Sequence, residues 1–124
     1  MAKVLIVDDD EDLRATLALM VRSAGHEAIA PMVGSGLVPV IAAGNYDIVV
    51  TDVLMPELDG IEIIKLVRNA KRSCPVIAIS GGSPRMPASV GLKLTEAFGA
   101  NVVLYKPFER AELIAAIGEC LKAA

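Results

Sequence analysis

Four short apolar runs, each cut off by a residue able to do chemistry, constrain this chain more than any other feature. Val4 to Val7 stops at Asp8, Ile48 to Thr51 at Asp52, Pro75 to Ile79 at Ser80, and Val102 to Tyr105 at Lys106. Continuous runs of this length, rich in β-branched residues, fit strands buried on both faces of a parallel sheet. A weaker strand is expected over Glu27 to Ala30, at a sheet edge.

Between the runs the apolar period changes to that of a helix. Leu13, Leu17, Met20, Val21 and Ala24 mark a first helix ending near Gly25, with Asp10 or Glu11 at its N-terminus, where negative charge is favourable. Leu37, Val40 and Ile41 mark a second, ending at Gly44-Asn45. Pro39 fits only a first turn and so puts its start near Gly36 to Val38. Ile61, Ile64 and Val67, flanked by Ile63 and Ala70, form the inner face of a third, capped by Asp59, with Glu62, Lys65 and Arg68 toward water. A weak helix is expected around Leu94, Ala97 and Phe98 after a Gly-, Ser- and Pro-rich loop. A last helix turns Leu113, Ile114, Ile117 and Leu121 inward. Strands alternating with helices predict an α/β chain with a parallel sheet, right-handed crossovers and helices on both faces. The length of 124 residues suits one domain, residues 1–124, with no linker or repeat.

Composition narrows the function. Apolar residues make up 54% of the chain and aromatics 3%, so the core is aliphatic. A net charge of −3 gives no basis for direct nucleic-acid binding, and no apolar run approaches the ~20 residues of a membrane span. The start enters a strand at once, too short in apolar residues for a signal peptide. Cys74 and Cys120 have neither metal nor redox spacing, which fits ordinary thiols in a reducing cytoplasm.

In a parallel sheet the strand ends share one edge. Asp8, Asp9, Asp52, Ser80 and Lys106 are therefore expected to converge. Crowded carboxylates raise one another's pKa, and a hard divalent cation, Mg²⁺, relieves that repulsion. Lys106 adds a second positive centre, Ser80 a hydroxyl, and Gly81 and Gly82 let backbone N–H groups approach an anion. Carboxylate nucleophile, metal, ammonium and hydroxyl together suit phosphoryl transfer to Asp52.

Val7-Asp8-Asp9, Asp52-x-x-Met55-Pro56-x-x-Asp59-Gly60, Ile79-Ser80-Gly81 and Lys106-Pro107-Phe108 appear in this order. With them the chain resembles, over essentially its whole length, a response-regulator receiver domain of two-component signalling systems. The resemblance implies a flavodoxin-like (βα)5 doubly wound sheet in the order 2-1-3-4-5, three-layered α/β/α. It implies Asp52 as the phosphoacceptor, charged from the phosphohistidine of a sensor histidine kinase or histidine phosphotransfer protein. Asp9 and Asp52 would be direct Mg²⁺ ligands, with Asp8 helping through water and the Leu54 backbone carbonyl as a further ligand. Lys106 would pair with the phosphoryl group and Ser80 move toward it. The Lys106–Pro107 bond is expected to be cis. The downstream protein partner would meet the face formed by the helix around Leu94, the fifth strand and the last helix. Such a protein is a signalling phosphoacceptor in the cytoplasm, not a turnover enzyme.

Three features depart from the family pattern. Val103 stands where relatives often carry an aromatic switch residue, with Tyr105 beside the lysine instead. The segment from Ser80 to Gly99 is longer than usual. Leu54 and Gly82 replace polar side chains near the attacking water, which predicts a long-lived acyl phosphate. Two other readings compete. A phosphate-independent docking module would be a degenerate receiver. A Mg²⁺-dependent phosphatase of the haloacid-dehalogenase type would want Asp where Leu54 stands.

Overall fold

The structure, a computed structural model, describes residues 2–34, 36–52, 60–80 and 99–123. Five strands form one parallel sheet: β1 (Lys3–Val7), β2 (Glu27–Ile29), β3 (Ile48–Asp52), β4 (Val76–Ser80) and β5 (Val102–Tyr105), in the spatial order β2-β1-β3-β4-β5. Four helices are described: α1 (Glu11–Ser23), α2 (Leu37–Ala43), α3 (Gly60–Ala70) and α4 (Arg110–Ala123). The flavodoxin-like order and the doubly wound sheet expected from the sequence are both present. The helix expected around Leu94 and the Asp59 cap lie outside the described residues.

Strand side chains alternate between two faces. Val4, Ile6, Ile48, Val50, Ile77 and Ile79 meet α1 and α4 on one side. Leu5, Val7, Val49 and Val76 meet α2 and α3 on the other. Each fully buried aliphatic side chain contributes about 1.5–3 kcal/mol relative to exposure, and the central strands have no face that does not collect it.

Local chemistry fixes the element ends. The Asp10 carboxylate accepts from the N–H groups of Asp12 and Leu13 at 3.0 and 3.2 Å, so Asp10 caps α1, while Glu11 and Asp12 occupy its first turn. Gly44, at φ +70°, ends α2 in the left-handed region that favours glycine. The Lys106–Pro107 peptide is cis, as the resemblance implied. Among the described residues, no helix is long and apolar enough to cross a membrane.

Two expectations for α3 need correction. Ala70 is exposed, and the buried face is carried by Ile63, Ile64 and Val67. Arg68 does not simply face water. Its guanidinium donates to the Cys74 carbonyl, to the Gly99 carbonyl at 2.6 Å and to Asn101 Oδ1 at 3.1 Å. Asn101 Oδ1 also accepts from Val76 N–H at 2.9 Å. A planar fork of donors suits several acceptors at once, and Arg68 thereby ties α3 to the start of β4 and the approach to β5. Helical periodicity marks position 68 as outward-facing but carries no information about carbonyls contributed by the segments leading into β4 and β5. In urea denaturation, Arg68→Ala is expected to lower stability by about 1–3 kcal/mol, because it strands several acceptors. Lys65→Ala, which removes an exposed pairing with Glu62, is expected to stay within about 0.5 kcal/mol of the parent.

Candidate functional site

Parallel pairing brings the chemistry to one edge. Val7 is in register with Thr51, Asp52 with Ile79, and Ile79 with Leu104. At that edge Asp8 follows β1, Asp52 and Ser80 close β3 and β4, and Lys106 follows β5. The central observation is a contact across that edge: Lys106 Nζ donates to Asp52 Oδ2 at 2.8 Å. Asp52 is only 5% exposed, so this charge lies in a partly water-excluded setting where opposite charges interact more strongly than in bulk water.

Asp8 is more deeply buried, at 1% exposure. Its Oδ1 accepts from Asp10 N–H at 2.9 Å, which shapes the turn from β1 into α1. Its Oδ2 is buried with no hydrogen-bond partner among the described residues. Burial raises the Asp8 carboxyl above the ordinary carboxylate value. The Asp10 N–H opposes that rise, Asp52 adds to it, Lys106 opposes it, and Asp9 adds to it. Asp9 is half-buried beside the same edge.

The run of five acids thus divides its labour. Asp8 is buried at the strand edge, Asp9 follows it half-buried, Asp10 caps α1, and Glu11 and Asp12 sit in the first turn. Arg14, which the sequence did not single out, donates to the Asp8 carbonyl at 3.1 Å and lies 3.9 Å from Glu11. Its position six residues after Asp8 acquires meaning only once the chain turns at Asp10. A recess of about 340 Å³ lined by Asp9, Glu11, Arg14, Met32 and Val33 adjoins these residues.

Among the described residues, no three His, Cys, Asp or Glu side chains cluster closely enough to hold a metal as they stand. The donor chemistry nevertheless fits a hard cation. A buried carboxylate oxygen lacks a partner among the described residues, and further carboxylates stand beside it. The Leu54 carbonyl and the Ser80 hydroxyl, both expected here, lie outside what the structure describes. Ser80 itself ends β4, in register with Tyr105.

Residues the sequence set aside keep ordinary roles. His26 is partly buried, and its Nδ1 accepts from Ala2 N–H at 3.1 Å. Cys74 and Cys120 are free, buried thiols.

Comparison with known proteins converges on one family. The model of the response regulator receiver domain matches residues 4–118. The sensory transduction protein RegX3 of Mycobacterium tuberculosis is 34% identical over 122 residues, covering 98% of this chain and 52% of that protein. The DNA-binding transcriptional regulator NtrC of Rhizobium meliloti is 35% identical over 120 residues, covering 97% of this chain and 24% of that protein. The chain therefore spans about half, or less, of the curated relatives it matches. Among solved structures, the Vibrio cholerae chemotaxis protein CheY4 superposes with a TM-score of 0.82 at 28% identity, covering 97% of this chain and 98% of that one. The receiver domain of the Pseudomonas aeruginosa sensor histidine kinase PA1611, solved with a magnesium ion in its active-site cleft, gives 0.79 at 26% identity and covers 98% of both chains. A family match over nearly the whole chain, a shared sheet order and an acidic strand edge agree: the chain belongs to the response regulator receiver domain family of two-component signalling.

Proposed function

We propose that this receiver domain accepts a phosphoryl group on Asp52 from a phosphohistidine of a partner kinase or phosphotransfer protein, in a Mg²⁺-dependent reaction, and that the charge added there switches binding of a downstream protein. The observation that carries the proposal is the 2.8 Å contact from Lys106 Nζ to Asp52 Oδ2, beside a buried Asp8 oxygen without a partner among the described residues. A carboxylate oxygen of Asp52 attacks phosphorus, and the bond from phosphorus to the donor imidazole nitrogen breaks. The electron pair of that bond leaves with the imidazole, which takes up a proton. Lys106 orients the carboxylate before transfer and offsets the charge of the phosphoryl oxygens after it.

Asp9, Asp52 and the Leu54 carbonyl would hold Mg²⁺, with Asp8 acting through water. The cation, when bound, neutralises charge on the transferring oxygens. The magnesium recorded in the PA1611 receiver domain supports this reading. Ser80 would meet the phosphoryl group after transfer. The output would be read on the face that includes β5 and α4. Receiver domains are signalling phosphoacceptors, and this one would turn over only its own phosphoryl group.

Incubation with acetyl phosphate and Mg²⁺ tests the proposal. One phosphoryl group per chain, labile to hydroxylamine, is expected. Lys106→Met is expected to slow its uptake by about tenfold or more. With Leu54 and Gly82 unable to orient water, the adduct should persist for minutes, and loss within seconds would contradict that reading. Partner binding indifferent to phosphate would favour a docking module instead.

The raised Asp8 pKa gives a second test. A carboxyl whose folded-state pKa lies above its unfolded value binds its proton more tightly when folded. Its ionisation therefore costs stability as pH rises through the folded value, and that cost disappears as pH falls below the unfolded one. Asp8→Asn is expected to stabilise the metal-free protein at pH 7 by on the order of 1 kcal/mol, with the advantage over wild type shrinking as pH falls into the carboxylate range. Mg²⁺ should raise the melting temperature of wild type and raise that of Asp8→Asn less. Thermal melts in chelator and in Mg²⁺ at two pH values read both effects.

A further inference from the structure

Both peptide groups that flank Asp9 are held by side chains. The Asp9–Asp10 peptide is fixed at its N–H, which donates to Asp8 Oδ1 at 2.9 Å. The Asp8–Asp9 peptide is fixed at its carbonyl, which accepts from Arg14 Nη1 at 3.1 Å. Arg14 can reach back because its own N–H donates to the Asp10 carbonyl at 2.9 Å, which starts α1 directly behind the turn. Asp9 thus sits between two anchored peptides, half-buried, and lines the same recess as Arg14.

The ordinary roles of a helical arginine do not account for this contact. The pairing with Glu11 is 3.9 Å long and the Glu11 side chain is 76% exposed, so that pair contributes little. An arginine that docks a partner would present its guanidinium to solvent, whereas the Arg14 side chain is 11% exposed. Its donor goes to the main chain of the acidic turn, and the cation that offsets the Asp8 charge is Lys106. A guanidinium placed this way grips the turn without occupying its carboxylate oxygens.

We propose that Arg14 is a positioning residue for the cation site: by holding the Asp8–Asp9 peptide it fixes where the Asp9 carboxylate stands, and so tunes the site to Mg²⁺ over larger divalent cations. This rests on the proposed reading of Asp9 as a Mg²⁺ ligand and adds a residue that acts only through the backbone. Mg²⁺ demands near-octahedral ligands at about 2.0–2.1 Å, whereas Ca²⁺ accepts flexible geometry at about 2.3–2.6 Å. A loosened turn therefore harms Mg²⁺ binding more than Ca²⁺ binding. The sign separates positioning from charge. Deleting a nearby positive charge strengthens the binding of any cation, so weaker binding after removal of Arg14 marks lost positioning.

Thermal melts of the unphosphorylated chain, titrated with Mg²⁺ or with Ca²⁺, give both affinities from the rise in melting temperature. Arg14→Met keeps an apolar stem and removes the donors. It is expected to weaken Mg²⁺ binding by about tenfold or more, as loss of a group that orients a metal ligand does, and Ca²⁺ binding by less than about threefold. Arg14→Lys keeps a donor and should fall between Arg14→Met and wild type, so it carries the test should Arg14→Met not fold. Glu11→Gln breaks only the exposed pairing and should leave the ratio of the two affinities unchanged. Equal weakening of both cations in the Arg14 variants, no change in either, or tighter Mg²⁺ binding would overturn the proposal while leaving Mg²⁺ at the site. A wild type that Mg²⁺ does not stabilise would overturn the reading of the site beneath it as well.

Discussion

The contact between Lys106 and Asp52 depends on everything beneath it. These residues are 54 positions apart and leave the sheet from strands separated by β4. Adjacent strands lie about 4.8 Å apart, so β3 and β5 are roughly twice that distance from each other. An extended lysine side chain closes the gap only if both strands are parallel, in the observed register, and end together. The aliphatic layers on either side of the sheet enforce that register, because a one-residue slip would turn each strand's side chains to the opposite face.

The pair itself adds little to stability. Taking two charges partly out of water offsets much of their attraction, and Asp8 adds a buried carboxylate oxygen without a partner among the described residues. This edge is where local consistency is relaxed while the rest of the fold keeps it. An acid held next to other acids is costly alone and well suited to binding a cation, and a carboxylate already paired with an ammonium is oriented for the arrival of an anion. On the proposed function, the same electrostatics that weaken the resting edge would prepare it for phosphate.

Most of the sheet was legible in the sequence because its signals are local and redundant. Val4–Val7 and Ile48–Thr51 are apolar without interruption, each is followed by helical spacing, and each ends in Asp. The site was legible for the same reason, since a parallel sheet places all strand ends on one edge. What the sequence did not reveal depended on distant partners. Arg68 reads as a solvent-facing position until the carbonyls of Cys74 and Gly99 are brought beside it. Arg14 reads as an ordinary helix residue until the turn at Asp10 returns it to the Asp8 carbonyl. His26, between α1 and β2, takes its partner, the Ala2 N–H, from β1's approach rather than from its own turn.

The central claim is that Asp52 is the atom-level acceptor of phosphate at this edge. The most direct measurement is reduction of the phosphorylated chain with borohydride, which converts an aspartyl phosphate to homoserine, followed by peptide mass mapping. Homoserine at position 52 alone, formed only when Mg²⁺ was present during phosphorylation, is the predicted result. Homoserine at another acidic residue, or none from a folded chain after phosphodonor and Mg²⁺, would contradict it.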